Sequence, residues 1–96
     1  MACWIVEFDD KADKSLDKLG HESKKMIQDY LNNRLLSLDN PRTVGKPLTG
    51  NLKGLWRYRI NKFRIICDIQ DDKLVILVIK IGKREDVYED LYSHSG

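Results

Sequence analysis

The chain has 96 residues, 42% of them apolar and 33% charged, with 17 basic against 15 acidic residues and a formal charge of +2. That fits one domain with a single core and excludes a membrane-spanning helix, which needs ~18 consecutive apolar residues. Two histidines far from two cysteines leave no zinc spacing, and the first residues lack the basic and apolar blocks of a signal peptide, so a metal-free cytoplasmic protein is expected.

Residues 2–8 alternate weakly, with Cys3 and Ile5 set against Trp4, Val6 and Phe8, and predict a first strand. Asp9 or Asp10 supplies an N-cap for a helix carrying Ala12, Leu16 and Leu19, which stops at Gly20. A second helix is expected from His21 or Glu22 to about Leu38, with Met26, Ile27, Tyr30, Leu31, Leu35 and Leu38 as its apolar stripe. His21 at this junction reads as a cap. Pro41 closes the helix, because the residue before proline disfavours helical backbone. The two helices, joined by a short turn, form a hairpin.

Residues 41–54 hold three glycines and both prolines and read as a loop wrapping the sheet. Three strands follow, at roughly 55–60, 63–70 and 73–81. The breaks at Asn61-Lys62 and Asp71-Asp72 suit two-residue turns with positive φ at Asn or Asp. The last run is nearly all aliphatic and predicts a strand at the sheet centre, buried on both faces. Cys3 and Cys67, in apolar runs, read as small buried hydrophobes. The fold class is therefore α+β: an order β-α-α-β-β-β, with a mainly antiparallel twisted sheet and a helical hairpin on one face. Residues 1–96 form this one domain, with a disordered tail at 93–96 around His94.

Charge is distributed unevenly along this framework. Between Pro41 and Cys67 stand seven basic residues and no acidic one, four of them Arg57, Arg59, Lys62 and Arg64. With a two-residue turn at 61–62, Ile60 opposes Phe63, Arg59 opposes Arg64, Tyr58 opposes Ile65 and Arg57 opposes Ile66. Opposed residues share a face. Trp56, Tyr58, Ile60, Phe63, Ile65, Cys67 and Ile69 then face the helices, and Arg57, Arg59 and Arg64 face away. Like charges opposed across strands repel, so an anion is expected between them. A solvated face pairing with Asp68 or Asp86 is the plainer alternative. The uninterrupted basic stretch favours an anion site of the kind that binds nucleic acid.

The segment from Leu52 to Tyr88 resembles the RelE-type toxins of the bacterial and archaeal RelE/ParE superfamily. The resemblance rests on Leu52-Lys53-Gly54, Trp56-Arg57-Tyr58-Arg59-Ile60, Phe63-Arg64-Ile65-Ile66, and Ile81-Gly82-Lys83-Arg84-Glu85 with Val87-Tyr88. The helix end Lys18-Leu19-Gly20 and the turn Asn40-Pro41-Arg42 extend it over almost the whole chain.

It implies the toxin of a type II toxin–antitoxin system: a ribosome-dependent endoribonuclease that cuts messenger RNA in the decoding site by attack of the substrate's own 2′-hydroxyl, without metal or cofactor. The implied catalytic residues are Arg59, Arg64, Arg84 and Tyr88. Arg64 and Arg84 would stabilise charge on the phosphate, Arg59 would clamp it, and Tyr88 would orient the base and exchange a proton. Arg57 and Arg59 stand where other members carry lysines or arginines, and unlike lysine an arginine keeps its proton. Lys53, Arg57 and Lys83 are the implied RNA-binding residues, Lys80 could grip RNA backbone or be an ordinary surface lysine, and His94 is a further candidate base. The implied partners are a RelB-like antitoxin, the ribosome and its message, with operator DNA reached only through the antitoxin and no membrane. Two other readings stay open: a ParE-type toxin that poisons gyrase, and an inactive antitoxin-binding co-repressor.

Overall fold

In the computed structural model, residues 3–83 are described. Strand β1 (Ile5–Phe8) leads to Asp9, whose carboxylate accepts from the Lys11 N–H at 2.8 Å and caps helix α1 (Asp10–Lys18). Ala12 and Leu16, one turn apart, are its buried residues. Gly20, at φ 92°, turns the chain into helix α2 (His21–Asp29). Gly20 is the N-cap, so His21 is the first helical residue and not the cap expected of it.

The second helix is not the uniform one its periodicity predicts. At Tyr30 it widens into a π-helical segment, Tyr30–Leu35, followed by a turn. Ile27, Leu31 and Leu35 are all fully buried, and they recur at intervals of four. In an α-helix such residues drift around the axis by about 40° per step. A π turn, bonded i to i+5, rotates less per residue and brings the drift back, so the three stay on one face.

Asn40 then caps a short 3₁₀ turn, Pro41–Thr43, its side-chain oxygen accepting from the Arg42 N–H at 2.9 Å. The loop to β3 contains a two-residue strand, β2 (Lys46–Pro47), that the sequence did not announce, and a second 3₁₀ turn, Gly50–Leu52. Strands β3 (Trp56–Ile60), β4 (Phe63–Gln70) and β5 (Val75–Lys83) complete a five-stranded sheet of order β1-β5-β4-β3-β2. All pairings are antiparallel except β1 with β5. The central strand is thus β4, with β5 beside it; β5 is flanked on both sides but only half-buried at Leu77, Ile79 and Lys80.

The β3–β4 hairpin has the expected register: Ile60 with Phe63, Arg59 with Arg64, Tyr58 with Ile65, Arg57 with Ile66. Asn61 takes the positive φ, at 55°. The next turn differs. Gln70 pairs with Val75, so the loop is Asp71 to Leu74, and the positive φ of 54° falls on Leu74, not on an aspartate. Backbone bonds from Lys73 to Gln70 and from Leu74 to Asp71 wind it into a helical turn, and the freed Leu74 carbonyl accepts from Ile5 at 3.0 Å to start the β1 pairing.

The core lies between the helices and one sheet face, built from Leu16, Ile27, Leu31, Leu35, Tyr58, Phe63, Ile65, Cys67, Ile76, Val78 and neighbours. A bulge explains why the β5 residues break parity. Ile66 faces Lys80 while Cys67 faces Val78, leaving Ile79 extra and placing Val78 and Ile81 both on the helix side. Of the two cysteines, Cys67 is buried as expected; Cys3 is exposed, because it precedes the first paired residue.

Candidate functional site

Alternation along β3 and β4 sends Arg57, Arg59 and Arg64 to the sheet face away from the helices, as the paired register requires. Neighbouring strands extend them into two rows. One runs Lys46, Arg57, Ile66, Lys80 across β2, β3, β4 and β5; the other runs Arg59, Arg64, Gly82. Five cations occupy these rows, and no acid does. Gly82 opposite Arg64 leaves that end of the second row without a side chain.

Arg59 is exposed and Arg64 half-buried, and neither has an ion-pair partner among the described residues. The Arg64 Nε is itself buried with no hydrogen-bond partner among them. Such a donor costs about 1–3 kcal/mol while unmet; Trp4 Nε1 is the other one among the described residues. The nearest carboxylate along β4, Asp68, instead accepts from Gln70 Nε2 at 3.1 Å. An arginine pair offers fixed forks of N–H donors that match phosphate oxygens, and its charge does not titrate.

Further along the same face the character changes. The rows of Asp68, Leu77 and Glu7 and of Gln70, Val75 and Ile5 are acidic or apolar, with Ile5 50% exposed. Among the described residues, the cations of this face therefore gather in the two rows that cross β3 and β4.

Not all sequence candidates gather there. Lys53 is exposed in the loop before β3, at the opposite end of that strand from Arg59. Lys83 opposes Phe63 and so shares its face, with Nζ 6.0 Å from the Phe63 ring centroid; it points away from the arginine rows. Arg84, Tyr88, Asp86 and His94 lie outside the described residues. Lys46 joins the rows unforeseen, and Lys80, a candidate RNA contact, was not assigned to this face. The signal for Lys80 was hidden by the bulge, which reverses its side of β5.

Beneath the rows the hairpin is held rigidly. Tyr58, fully buried, donates its hydroxyl to the Pro41 carbonyl at 2.7 Å and packs its ring against Tyr30 with centroids 6.5 Å apart. Burial pushes its phenol well above the ordinary tyrosine range. Trp56 Nε1 donates to Val44 at 2.8 Å. Gly45 makes this approach possible: at φ 82°, a Cβ there would collide with the Arg57 carbonyl and the Trp56 ring. Arg42 forms a bidentate bridge to Asp71, at 2.8 and 2.9 Å, tying the same loop to the far end of β4. These contacts fix the strand whose other side carries the cations.

A family model for the ParE toxin of type II toxin–antitoxin systems matches residues 6–88. Among characterised proteins, the mRNA interferase toxin RelE of Escherichia coli is 28% identical over 92 residues, covering 91% of this chain and 92% of its own. In the toxin–antitoxin complex RelBE2 from Mycobacterium tuberculosis, a chain superposes with a TM-score of 0.78 at 25% identity, covering 88% of this chain and 94% of that one. The free state of an E. coli RelE toxin in which two arginines are replaced by alanine gives 0.74 at 26% identity, covering 98% of each chain.

Proposed function

This chain belongs to the ParE toxin family of type II toxin–antitoxin systems, within the RelE/ParE superfamily, and from its likeness to an mRNA interferase toxin we propose that it cuts ribosome-bound messenger RNA. The observation that carries the reading is the Arg59–Arg64 pair, cross-strand neighbours that have no counter-ion among the described residues, with the buried Arg64 Nε lacking an acceptor among them. A phosphodiester seated there supplies that acceptor.

Cleavage then needs no external nucleophile. The 2′-hydroxyl loses its proton and attacks the adjacent phosphorus, and the bond to the 5′-oxygen breaks as that oxygen takes up a proton. The products are a 2′,3′-cyclic phosphate and a 5′-hydroxyl end. Arg64 and Arg59 neutralise the charge that builds on the phosphoryl oxygens. We assign Arg84 to the same task and Tyr88 to base stacking and proton exchange, on the family resemblance alone. Alignment of the attacking group is left to the ribosome, and such positioning accounts for much of an intramolecular reaction's rate. The place of action is the cytoplasm.

The relative of known activity is named an mRNA interferase, and RelE-type structural relatives occur in complexes with antitoxins. We infer a RelB-like antitoxin for this chain, which would reach operator DNA only through it. An acidic or amphipathic antitoxin segment laid over the arginine rows would block the site.

Primer extension on transcripts in a translating extract tests the reading. Codon-phased cuts are expected from the wild type, falling by about 100-fold or more in Arg64→Ala, as for loss of one charge-stabilising donor. Gyrase-linked DNA breaks without RNA cuts would put the ParE-type activity in its place. Absence of both would leave an antitoxin-binding co-repressor.

A further inference from the structure

The arginine rows do not end at the sheet edge. Beyond β3, on the side away from Arg64, an open cleft of about 230 Å³ is lined by Tyr30, Gly45, Lys46, Arg57 and Arg59. It is smaller than the roughly 300–1,000 Å³ typical of pockets for drug-sized ligands. Its walls combine an aromatic ring with basic side chains, and no acid among the described residues lines it.

Three features make it more than a gap. The first is a strand edge left unpaired among the described residues. In a two-residue hairpin the residues flanking the turn exchange both backbone bonds, so Ile60 points its N–H and C=O at Phe63, and Arg59, one residue earlier, points its own away from β4. β2 does not reach that position, since its pairing stops at Arg57. The second is the close approach at Gly45, which brings Lys46 beside β3 and would be filled by any Cβ. The third is the change of helix type, which begins at Tyr30 itself. Single π turns inside helices concentrate at functional positions because they re-aim side chains. Tyr30 is half-buried, with one side of the ring against Tyr58.

We propose that this cleft binds the nucleotide adjacent to the scissile phosphodiester, with Lys46 and Arg59 on its phosphate and Tyr30 against its base. This rests on the RNA-cleavage reading and deepens it. Arg59 is shared: it stands between the cleft and Arg64, so a strand crossing the hairpin lays one phosphate near Arg64 and the next nucleotide over the sheet edge. Stacking on an aromatic ring tolerates any base, so the cleft contributes affinity and register rather than strong sequence preference.

Binding of 2′-O-methyl adenosine di- and trinucleotides, which cannot be cut, tests this without requiring catalysis. Fluorescently labelled forms are titrated against wild type, Lys46→Ala, Tyr30→Leu and Tyr30→Phe, each checked for folding by thermal melt. Lys46 is exposed, and Tyr30→Phe keeps the packing on Tyr58, so folded variants are available. The trinucleotide is expected to bind wild type at least 10-fold more tightly than the dinucleotide, an advantage that shrinks below 3-fold in Lys46→Ala and Tyr30→Leu and survives in Tyr30→Phe. Equal affinity of both lengths for wild type would overturn the cleft while leaving RNA cutting intact, and would point to a separate contact such as ribosomal RNA. So would a trinucleotide advantage untouched by Lys46→Ala and Tyr30→Leu. If neither oligonucleotide binds and transcripts are also uncut, the functional reading falls with it.

Discussion

The two faces of the β3–β4 hairpin are built from the same residues taken alternately, yet they obey opposite rules. On the helix side, Tyr58, Phe63, Ile65 and Cys67 are fully buried, and the one hydroxyl among them is satisfied by Pro41. On the other side, Arg57, Arg59 and Arg64 gather like charge, and one buried donor lacks a partner among the described residues. A side chain's parity in the strand thus separates the helix-facing core from the basic rows, although Ile66 shares a row with Arg57 and is itself fully buried. The first face supplies the rigidity that makes the second possible, because repelling guanidinium groups would otherwise spread apart.

The sharpest test of that division sets adjacent residues against each other. Phe63→Ala is expected to cost about 3–5 kcal/mol in denaturant unfolding, as for other large buried aromatics. Arg64→Ala, its neighbour, should change stability by less than ~0.5 kcal/mol, or raise it, since it removes a buried unmet donor and a repulsion. Equal losses at the two positions would break the comparison.

A smaller effect follows from Cys67, one residue beyond Ile66. Burial, with Asp68 adding to it, drives the thiol well above its ordinary range in the folded state. The unfolded thiol ionises near pH 8.5. Stability from this site is therefore complete below that pH and declines as pH rises above it, by about 2 kcal/mol at pH 10. Stability curves of Cys67→Ala should be flatter than wild type between pH 8.5 and 10. A thiol reagent should meanwhile label exposed Cys3 in the native protein and spare Cys67.

Gly45→Ala probes the join between loop and hairpin. Positive φ together with the collision at Arg57 and Trp56 should cost about 1–3 kcal/mol by thermal melt and loosen the loop that carries Lys46. The least effect is expected at the Arg42–Asp71 bridge. Both side chains reach solvent, Asp71 more than Arg42, so Asp71→Asn should cost about 1 kcal/mol or less at neutral pH. The bond from Arg42 holds the Asp71 carboxyl below its usual range. Its contribution is present above the unfolded value of about 3.9 and is lost as pH falls through the lower folded value. Wild type and Asp71→Asn should therefore converge in strong acid.

Where local rules acted alone, the sequence was legible. Asn61 accepts the positive φ, the residues from Trp56 to Ile65 alternate across the turn, and the arginine pairing follows the expected register. It became illegible where tertiary context intervened. The aliphatic run of β5 has no alternation to betray the extra residue at Ile79, so the side taken by Lys80 was hidden. Leu74, an unremarkable apolar residue, took the strained turn conformation because its carbonyl is needed by Ile5. The edge cleft was out of reach for another reason: Tyr30, Gly45, Lys46 and Arg59 belong to separate elements, and only the glycine hints at a close approach.

The pairing of β1 has a temporal side. Its partner in the sheet is the last described strand, and Ile5 lies beside Val75, 70 positions further on. Synthesis delivers the amino terminus first, and contacts this remote form late because a long loop must close before they are rewarded. A nascent chain therefore carries β1 unmatched until β5 has cleared the exit tunnel. A molecule proposed to disable ribosomes thus stays short of its finished architecture for most of the time its own ribosome spends making it.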